Sequence, residues 1–297
     1  MTPFSRRRFL TIAAACAALP AGATPVTARW QGRAMGAGVS MQLAGLSEEE
    51  AAPIFAEVER ELIRLEAIFS LYRTDSEIAR LNRDGVLAAP SPELLQVLSL
   101  SDTLYHATGG AFDPTVQPLW LALATGKEIE AARARIGWTG LRFDAAAVRF
   151  DTPGMAITLN GIAQGAVTDR IAALLRARGL RDVLIDMGEI AASGRRADGA
   201  PWSVGIADPA GRIVRRMTLS DRALATSAPQ GTLLNATTGQ GHILNPAGGA
   251  PSRALVSVSA PTAAVADGLS TALCLLPPAR GTDALAHFPH ARLEAEA

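Results

Sequence analysis

One acidic side chain lies in the middle of an apolar, helix-like segment near the carboxyl end of the chain. Asp267 falls within the run SAPTAAVADGLSTAL, and Thr271 follows it four residues later. On a helix, side chains four residues apart share a face, with their Cβ atoms about 5 to 6 Å apart. A carboxylate and a hydroxyl at that spacing are hard oxygen ligands suited to Mg²⁺, which keeps other positions for water and phosphates. On spacing alone, a solvated polar face opposite Leu269 and Leu273 is the more common explanation.

A glycine-containing segment, NGIAQG, lies at residues 160–165, where an apolar run gives way to a helical pattern. The N-terminus of a helix presents backbone N–H groups and the positive end of its dipole, which suits a diphosphate. Tight packing between the two elements would also require small residues here. The spacing is not the dinucleotide-binding G-x-G-x-x-G pattern. A Walker-type phosphate loop is excluded as well, because the sole lysine, Lys127, is followed by glutamate.

Three further side chains are candidates for chemistry. His242, in GHILNPAGG, is a possible general base because the reference pKa of histidine is about 6.5. A single histidine is more often a structural hydrogen-bonding group. Tyr72 could stack on a flat ring or cover the core. Glu189 follows a predicted strand end, a common place for site residues, but it could equally cap the next turn.

The first 23 residues have the pattern of an export signal. SRRRFL is followed by a short apolar run and by AGA, which fits an A-x-A cleavage site. We interpret residues 1–23 as a twin-arginine signal and residues 24–297 as the mature protein of the periplasm. The apolar run is shorter than the roughly 20 residues that span a bilayer. AAAC is a poor match to a lipid-attachment site, so we expect no lipid anchor at Cys16.

Composition limits the partners and the source of stability. Removal of residues 1–23 takes away three arginines and no acidic residue, so the formal charge moves from 0 to −3. A slightly acidic chain argues against nucleic acid as a partner. Only Cys274 then remains, so an internal disulfide is excluded and an ordinary core must provide stability. The chain is long enough for one large domain or two closely packed lobes.

The elements that position these residues are predicted to be mixed. Residues 29–43 read as a strand pair, and a capping box of Ser47 and Glu50 opens a helix. Residues 155–188 read as a strand, a helix that stops at Gly179, and a second strand. Because helices and strands do not alternate strictly, we expect an α+β fold rather than a doubly wound sheet.

Seven segments of the chain occur in an order that resembles the ApbE family of FAD:protein FMN transferases. They are MGA, YRTDSEIARLN, GGAFDPTV, LNGIAQG, IDMGE, HILNP and SVSAPTAAVADGLSTAL, and the resemblance runs from about residue 32 to residue 276. It implies an α+β fold of mixed sheets with packed helices and a FAD cleft between two lobes. It also implies an exported enzyme that takes FAD with Mg²⁺, breaks the diphosphate, releases AMP and attaches FMN to a Thr or Ser of a target flavoprotein.

The resemblance also implies roles for individual residues. Asp267 and Thr271 match the family's metal-ligand pair, and the backbone carbonyl of Gly161 would supply a third oxygen. His242 matches the family's histidine and would take the proton of the acceptor hydroxyl. The positions that match contacts with FAD are Met35, Tyr72, Ala111, Phe112, Asp113, Thr158, Gln164, Leu244 and Ser270.

Several positions depart from the family's usual pattern. Thr158 and Asn245 stand where aspartate is usual, Gln164 where lysine is frequent, and Glu189 follows Gly188 where the family has G-G-N. These departures motivate two alternatives, a non-catalytic FAD-binding assembly factor and a pyrophosphatase that converts FAD to FMN and AMP. They also suggest a specialised branch such as the NosX-like proteins, which serve the flavoprotein NosR in nitrous oxide respiration. A NosR-like, membrane-bound target is therefore a candidate partner.

Overall fold

The computed structural model describes residues 26–235 and 238–297. The predicted signal at residues 1–23, with Cys16 and the cleavage point, lies outside the described residues.

The helices and strands of the described residues are mixed along the chain. The helices are α1 (Glu48–Phe69), α2 (Glu77–Asp84), α3 (Pro92–Ala107), α4 (Gln117–Thr125), α5 (Ile129–Arg133), α6 (Ala163–Ala177), α7 (Ala263–Leu273) and α8 (Pro278–Ala286). The strands are β1 (Thr27–Ala34), β2 (Ala37–Ala44), β3 (Val86–Ala88), β4 (Leu141–Phe143), β5 (Ala147–Phe150), β6 (Val183–Asp186), β7 (Ile190–Ser193), β8 (Trp202–Ala207), β9 (Ile213–Leu219), β10 (Arg222–Ser227), β11 (Leu233–Asn235), β12 (Gln240–Gly241), β13 (Val256–Ala260) and β14 (Arg292–Glu296).

The main sheet has seven strands in the order β1-β2-β6-β7-β10-β13-β14. Each neighbouring pair is antiparallel. A second sheet has the order β3-β5-β4, and two-stranded ribbons join β8 to β9 and β11 to β12. The predicted α+β class is confirmed, because a doubly wound fold requires a mostly parallel sheet.

Local signals account for several element ends. The Ser47 hydroxyl accepts a hydrogen bond from the Glu50 N–H, and the Glu50 carboxylate accepts one from the Ser47 N–H, which completes the predicted capping box of α1. Ser91 caps α3 in a similar way through the Leu94 N–H, with Pro92 in its first turn.

The strand predicted at Met155 is wrong. Ile157 donates its N–H to the Asn82 side chain and accepts a hydrogen bond from the same amide, each at 2.8 Å. The side-chain amide of Asn82 in α2 thus takes the backbone hydrogen bonds of Ile157 that a neighbouring strand would otherwise make. The segment therefore runs as a loop into α6.

Helix α7 is enclosed by its neighbours, since it packs against α6 and against β10 and β13 of the main sheet. Nine of its eleven residues are buried. A helix that is apolar around most of its circumference belongs in a core. Asp267, the one acidic residue of α7, is therefore buried by the elements that surround the helix.

No helix among the described residues is long and apolar enough to cross a membrane.

Candidate functional site

The carboxylate of Asp267 is buried between α7 and the start of α6. The residue is only 3% exposed, so the solvated polar face considered from its spacing is wrong. Its Oδ2 accepts a hydrogen bond from the backbone N–H of Gly165 at 3.1 Å. Gly165 lies in the first turn of α6, where the positive end of the helix dipole favours a negative charge.

Small residues allow α6 to approach α7 this closely. A Cβ atom at Gly165 would lie 2.4 Å from the carbonyl oxygen of Ala263, a contact that backbone atoms cannot relieve without moving. A Cβ at Gly161 would lie 3.0 Å from the Thr271 hydroxyl oxygen. Gly161 and Gly165 therefore have two roles. They permit close packing of the helices, and they place their backbones against the face of α7 that carries Asp267 and Thr271.

Three hydroxyl groups connect α7 to the end of β10. The Ser227 hydroxyl lies 2.8 Å from that of Ser270 and 3.2 Å from that of Thr271. Ser270 also donates to the backbone carbonyl of Asp267 at 3.0 Å. These contacts hold Thr271 on the inner face of α7, one turn after Asp267.

The environment of Asp267 is short of positive charge. Burial is the main cause that raises its pKa to about 7; the Gly165 N–H acts in the opposite direction, and the nearby charge of Asp169 raises it further. No ion pair to Asp267 occurs within residues 26–235 and 238–297. A buried carboxylate without a cationic side chain fits a site that is completed by a cation.

The donors around Asp267 suit a hard divalent ion. The structure gathers no group of three His, Cys, Asp or Glu side chains that could hold a metal in its described part. A cation bound at Asp267 would therefore also use the Thr271 hydroxyl and a backbone carbonyl such as that of Gly161. All three donors are oxygens, the ligand type that Mg²⁺ prefers.

His242 is tied to the loop that follows β10. Its Nδ1 lies 3.2 Å from the carbonyl oxygen of Pro229 and 3.3 Å from that of Thr232, and its backbone N–H donates to Pro229 as well. Two carbonyl acceptors require a proton on Nδ1, so the neutral ring carries its basic lone pair on Nε2. Pro229 is two residues beyond Ser227, so the end of β10 contacts Thr271 and the loop that follows contacts His242.

The predicted FAD contacts before α6 lie in turns and loops. Met35 is in the β1–β2 turn with a positive φ of 50°, and its N–H donates to Glu66 at 2.6 Å. Tyr72 is 60% exposed after α1, which leaves its ring accessible for stacking. Ala111 is half-buried and Phe112 is buried in the loop after α3.

Asp113 is already engaged with its own chain. Its Oδ1 accepts hydrogen bonds from the N–H and the hydroxyl of Thr115, at 2.8 and 2.6 Å. Burial raises the pKa of this carboxyl above its usual range, and the hydrogen bonds from Thr115 oppose the shift.

The remaining predicted FAD contacts lie within a few residues of Gly161, His242 or Thr271 in sequence. Thr158 donates its N–H to Pro114, which links it to the Asp113 loop. Gln164 packs against Gly188, where a Cβ would lie 2.4 Å from its amide nitrogen. Leu244 is buried two residues after His242, and Ser270 is fully buried beside Ser227. All nine assignments of FAD contacts stay predictions.

The structure adds residues that the sequence did not single out. Ser227 joins Ser270 and Thr271, although its segment, ATSA, carries no recognisable signal. Asp169 accepts hydrogen bonds from the N–H groups of Ala263 and Ala264, at 2.7 and 2.9 Å, and so caps the start of α7 from α6. Glu189, for which the sequence leaves open a site residue or a turn cap, has a buried side chain.

Comparison with known proteins identifies the class of protein that this fold and site define. The profile of the ApbE family matches residues 35–295. An FAD:protein FMN transferase from Vibrio cholerae is 31% identical over 249 residues, which cover 76% of this chain and 74% of that protein. The protein of the same name from Salmonella typhimurium is 28% identical over 282 residues, which cover 86% of this chain and 80% of that protein.

Solved structures show the same relationship. The flavin transferase ApbE from Vibrio cholerae superposes with a TM-score of 0.76 at 27% identity, over 88% of this chain and 90% of that one. The apo form of the flavinyl transferase ApbE from Pseudomonas stutzeri gives a TM-score of 0.75 at 26% identity, over 88% of this chain and 87% of that one. The chain belongs to the ApbE family.

Proposed function

We propose that this chain is an FAD:protein FMN transferase that attaches FMN to a Thr or Ser hydroxyl of a target flavoprotein and releases AMP. Membership of the ApbE family and the names of its relatives support the transfer of FMN from FAD. The observation that carries the proposal within this chain is the buried Asp267 carboxylate, which lies against the first turn of α6 with no ion pair among the described residues.

Mg²⁺ is the cation that the site would hold, through the Asp267 carboxylate, the Thr271 hydroxyl and the Gly161 carbonyl. When bound, such an ion neutralises charge on the diphosphate and on the leaving phosphate oxygen. The chain contributes by keeping these oxygen donors in place: Gly165 fixes one carboxylate oxygen, and Ser227 fixes the threonine hydroxyl.

His242 would remove the proton of the acceptor hydroxyl. With Nδ1 held by the carbonyl groups of Pro229 and Thr232, Nε2 is the basic atom of the neutral ring. The hydroxyl oxygen forms the new bond to the FMN phosphorus, the bond from that phosphorus to the phosphate oxygen of AMP breaks, and Nε2 holds the proton.

The location and the target of the enzyme extend the same proposal. The arginine-rich start and the apolar run of residues 1–23 support export to the periplasm by the twin-arginine route. The departures from the usual family pattern at Thr158, Gln164 and Glu189 support a specialised branch. A NosX-like role with a membrane-bound, NosR-like flavoprotein as acceptor is the version that we propose for testing.

Co-expression with a NosR-like flavin-binding domain tests the proposal through the intact mass of that acceptor. We expect a mass gain of one FMN, which disappears when the acceptor Thr or Ser is replaced by alanine. Free FMN and AMP with an unmodified acceptor would instead support the pyrophosphatase. Bound FAD without either product would support the assembly factor.

A further inference from the structure

A second carboxylate beside the site has an oxygen atom that the protein leaves without a partner. Glu189 is 6% exposed. Its Oε2 is the one buried side-chain nitrogen or oxygen without a hydrogen-bond partner among the residues that the structure describes. Buried polar atoms are almost always satisfied, and each exception requires an explanation such as a missing ion.

The main sheet directs this side chain towards the site. Glu189 is in the turn between β6 and β7, and the pairing of β7 with β10 ends at Ile190 and Leu224. Two residues further along β10, the backbone of Thr226 lies near the Glu189 carboxylate, and its N–H lowers the pKa of that carboxyl against the effect of burial. The next residue, Ser227, contacts the Thr271 hydroxyl. The Glu189 carboxylate therefore lies near the end of β10, the segment that contacts Thr271.

The start of α6 touches Glu189 and Asp267 together. Gln164 packs on Gly188, and the Thr168 hydroxyl lies 3.3 Å from the Glu189 carbonyl oxygen. Between them, the Gly165 N–H donates to Asp267. The turn that carries Glu189 and the helix that carries Asp267 thus flank the same first turns of α6.

The charges that face Glu189 are all negative. Burial raises the pKa of the Glu189 carboxyl well above its usual range, and the charges of Asp267 and Asp186 raise it further. No arginine, lysine or histidine forms an ion pair with Glu189 in residues 26–235 or 238–297. A divalent cation is the group whose charge would balance two such carboxylates.

We propose that Glu189 supplies a second carboxylate oxygen to the divalent cation held by Asp267 and Thr271. This inference rests on the proposed metal site and adds to it a ligand from a different element of the fold. Mg²⁺ sites in proteins use one or two carboxylates with other oxygens, so the resulting donor set is of an ordinary kind. The carboxylate of Asp186 accepts a hydrogen bond from the Gly188 N–H and contributes charge nearby, and the proposal places it outside the donor set.

Titration of the metal-free full chain with Mn²⁺, followed by the electron paramagnetic resonance signal of the unbound ion, tests this without FAD or turnover. Glu189→Gln keeps the shape of the side chain and an oxygen for the Thr226 N–H. We expect its Kd for Mn²⁺ to rise at least tenfold, in line with the effect of removing groups that support a metal. Asp186→Asn is the matched control and should stay within twofold of wild type.

The outcomes separate this inference from the proposed function. If wild type does not bind Mn²⁺, both the proposed metal site and the proposed ligand Glu189 are refuted. Wild-type binding that Glu189→Gln leaves unchanged would overturn the second ligand and keep the site on Asp267. Equal weakening by Asp186→Asn would also overturn it, because the effect would then come from nearby charge alone. Glu189→Asp is the second variant, and its shortened carboxylate should bind Mn²⁺ more weakly than wild type.

Discussion

The backbone N–H of Gly165 and the carboxylate of Asp267 are joined by a hydrogen bond of 3.1 Å that links the first turn of α6 to the middle of α7. The two residues are far apart in sequence, and the contact exists because glycine lets the helices approach. It fixes one oxygen of the carboxylate and places that carboxylate beside a helix N-terminus. The site that we propose for a cation and a diphosphate would therefore depend on the packing of these two helices.

Replacement of Asp267 by asparagine should abolish metal-dependent turnover while the protein remains folded. The amide keeps an oxygen for the Gly165 N–H but loses the charge that holds a divalent ion. AMP release from FAD at saturating Mg²⁺ measures the effect, with the exposed Asp283→Asn as control. Turnover of Asp267→Asn equal to that of the control would refute the metal assignment.

Replacement of His242 by glutamine should lower kcat by about 10² to 10⁴ with little change in FAD affinity, because a general base acts on the acceptor hydroxyl and not on the bound nucleotide. Single-turnover transfer and FAD titration measure the two quantities separately. His287→Gln, at an exposed histidine, is the control. A loss of FAD affinity with a normal rate of transfer would make His242 a binding residue instead.

Replacement of Gly165 by alanine should destabilise the protein by about 1 to 3 kcal/mol, the usual range for overpacking. The added Cβ would lie 2.4 Å from the Ala263 carbonyl oxygen, so α6 and α7 must move apart. Urea unfolding measures the change. Gly38→Ala is the matched control, because a Cβ there meets no atom within 4 Å. Equal stability of the two variants would contradict the close helix contact.

Replacement of Tyr72 by alanine should weaken FAD binding by about twofold to tenfold, which corresponds to the roughly 0.5 to 1.5 kcal/mol of an aromatic pair. Stability should change little, because the side chain is 60% exposed. Ile63→Ala, also 60% exposed, is the control for general loss of surface area. If the two variants bind FAD equally well, Tyr72 does not stack on the flavin or the adenine.

The stability of the protein should fall as the pH rises from about 4 to about 6, in part because of Asp169. Burial raises the pKa of this carboxyl from 3.8 to about 6 in the folded protein, despite hydrogen bonds from Ala263 and Ala264. Between those values the folded state binds more protons than the unfolded state, so a rise in pH favours unfolding, and the effect levels off above about 6.

Urea unfolding at pH 4.5 and pH 6.5, compared between wild type and Asp169→Asn, measures this contribution. The variant should be less stable than wild type by about 1 kcal/mol at pH 4.5, because one cap hydrogen bond is lost, and this deficit should become smaller at pH 6.5. It should also show a smaller difference between the two pH values than wild type. An unchanged difference would show that Asp169 does not titrate in this window.

Local signals were enough to predict the elements whose ends depend on nearby residues. The capping box of Ser47 and Glu50 is one example, because both partners lie within one turn of α1. The strand predicted at Met155 failed because a side chain 75 positions away, Asn82, takes the hydrogen bonds of Ile157. Contacts of that kind leave no periodic pattern in the sequence.

The candidate site shows the same limit. Spacing placed Asp267 and Thr271 on one face of a helix, but it favoured solvent for that face, because burial depends on α6 and on the main sheet. The order of seven segments identified the family even though no single segment did so. Glu189 could equally have capped a turn, and only the folded chain shows that its side chain is buried.

Titration of FAD, followed by flavin fluorescence, with and without Mg²⁺ and in wild type and Asp267→Asn, tests the central claim most directly. That claim is that the buried carboxylate of α7 holds the cation through which FAD is bound for transfer. We predict that Mg²⁺ strengthens FAD binding by wild type at least tenfold and leaves Asp267→Asn unaffected. Equal strengthening in both proteins, or FAD binding by wild type that does not depend on Mg²⁺, would contradict it.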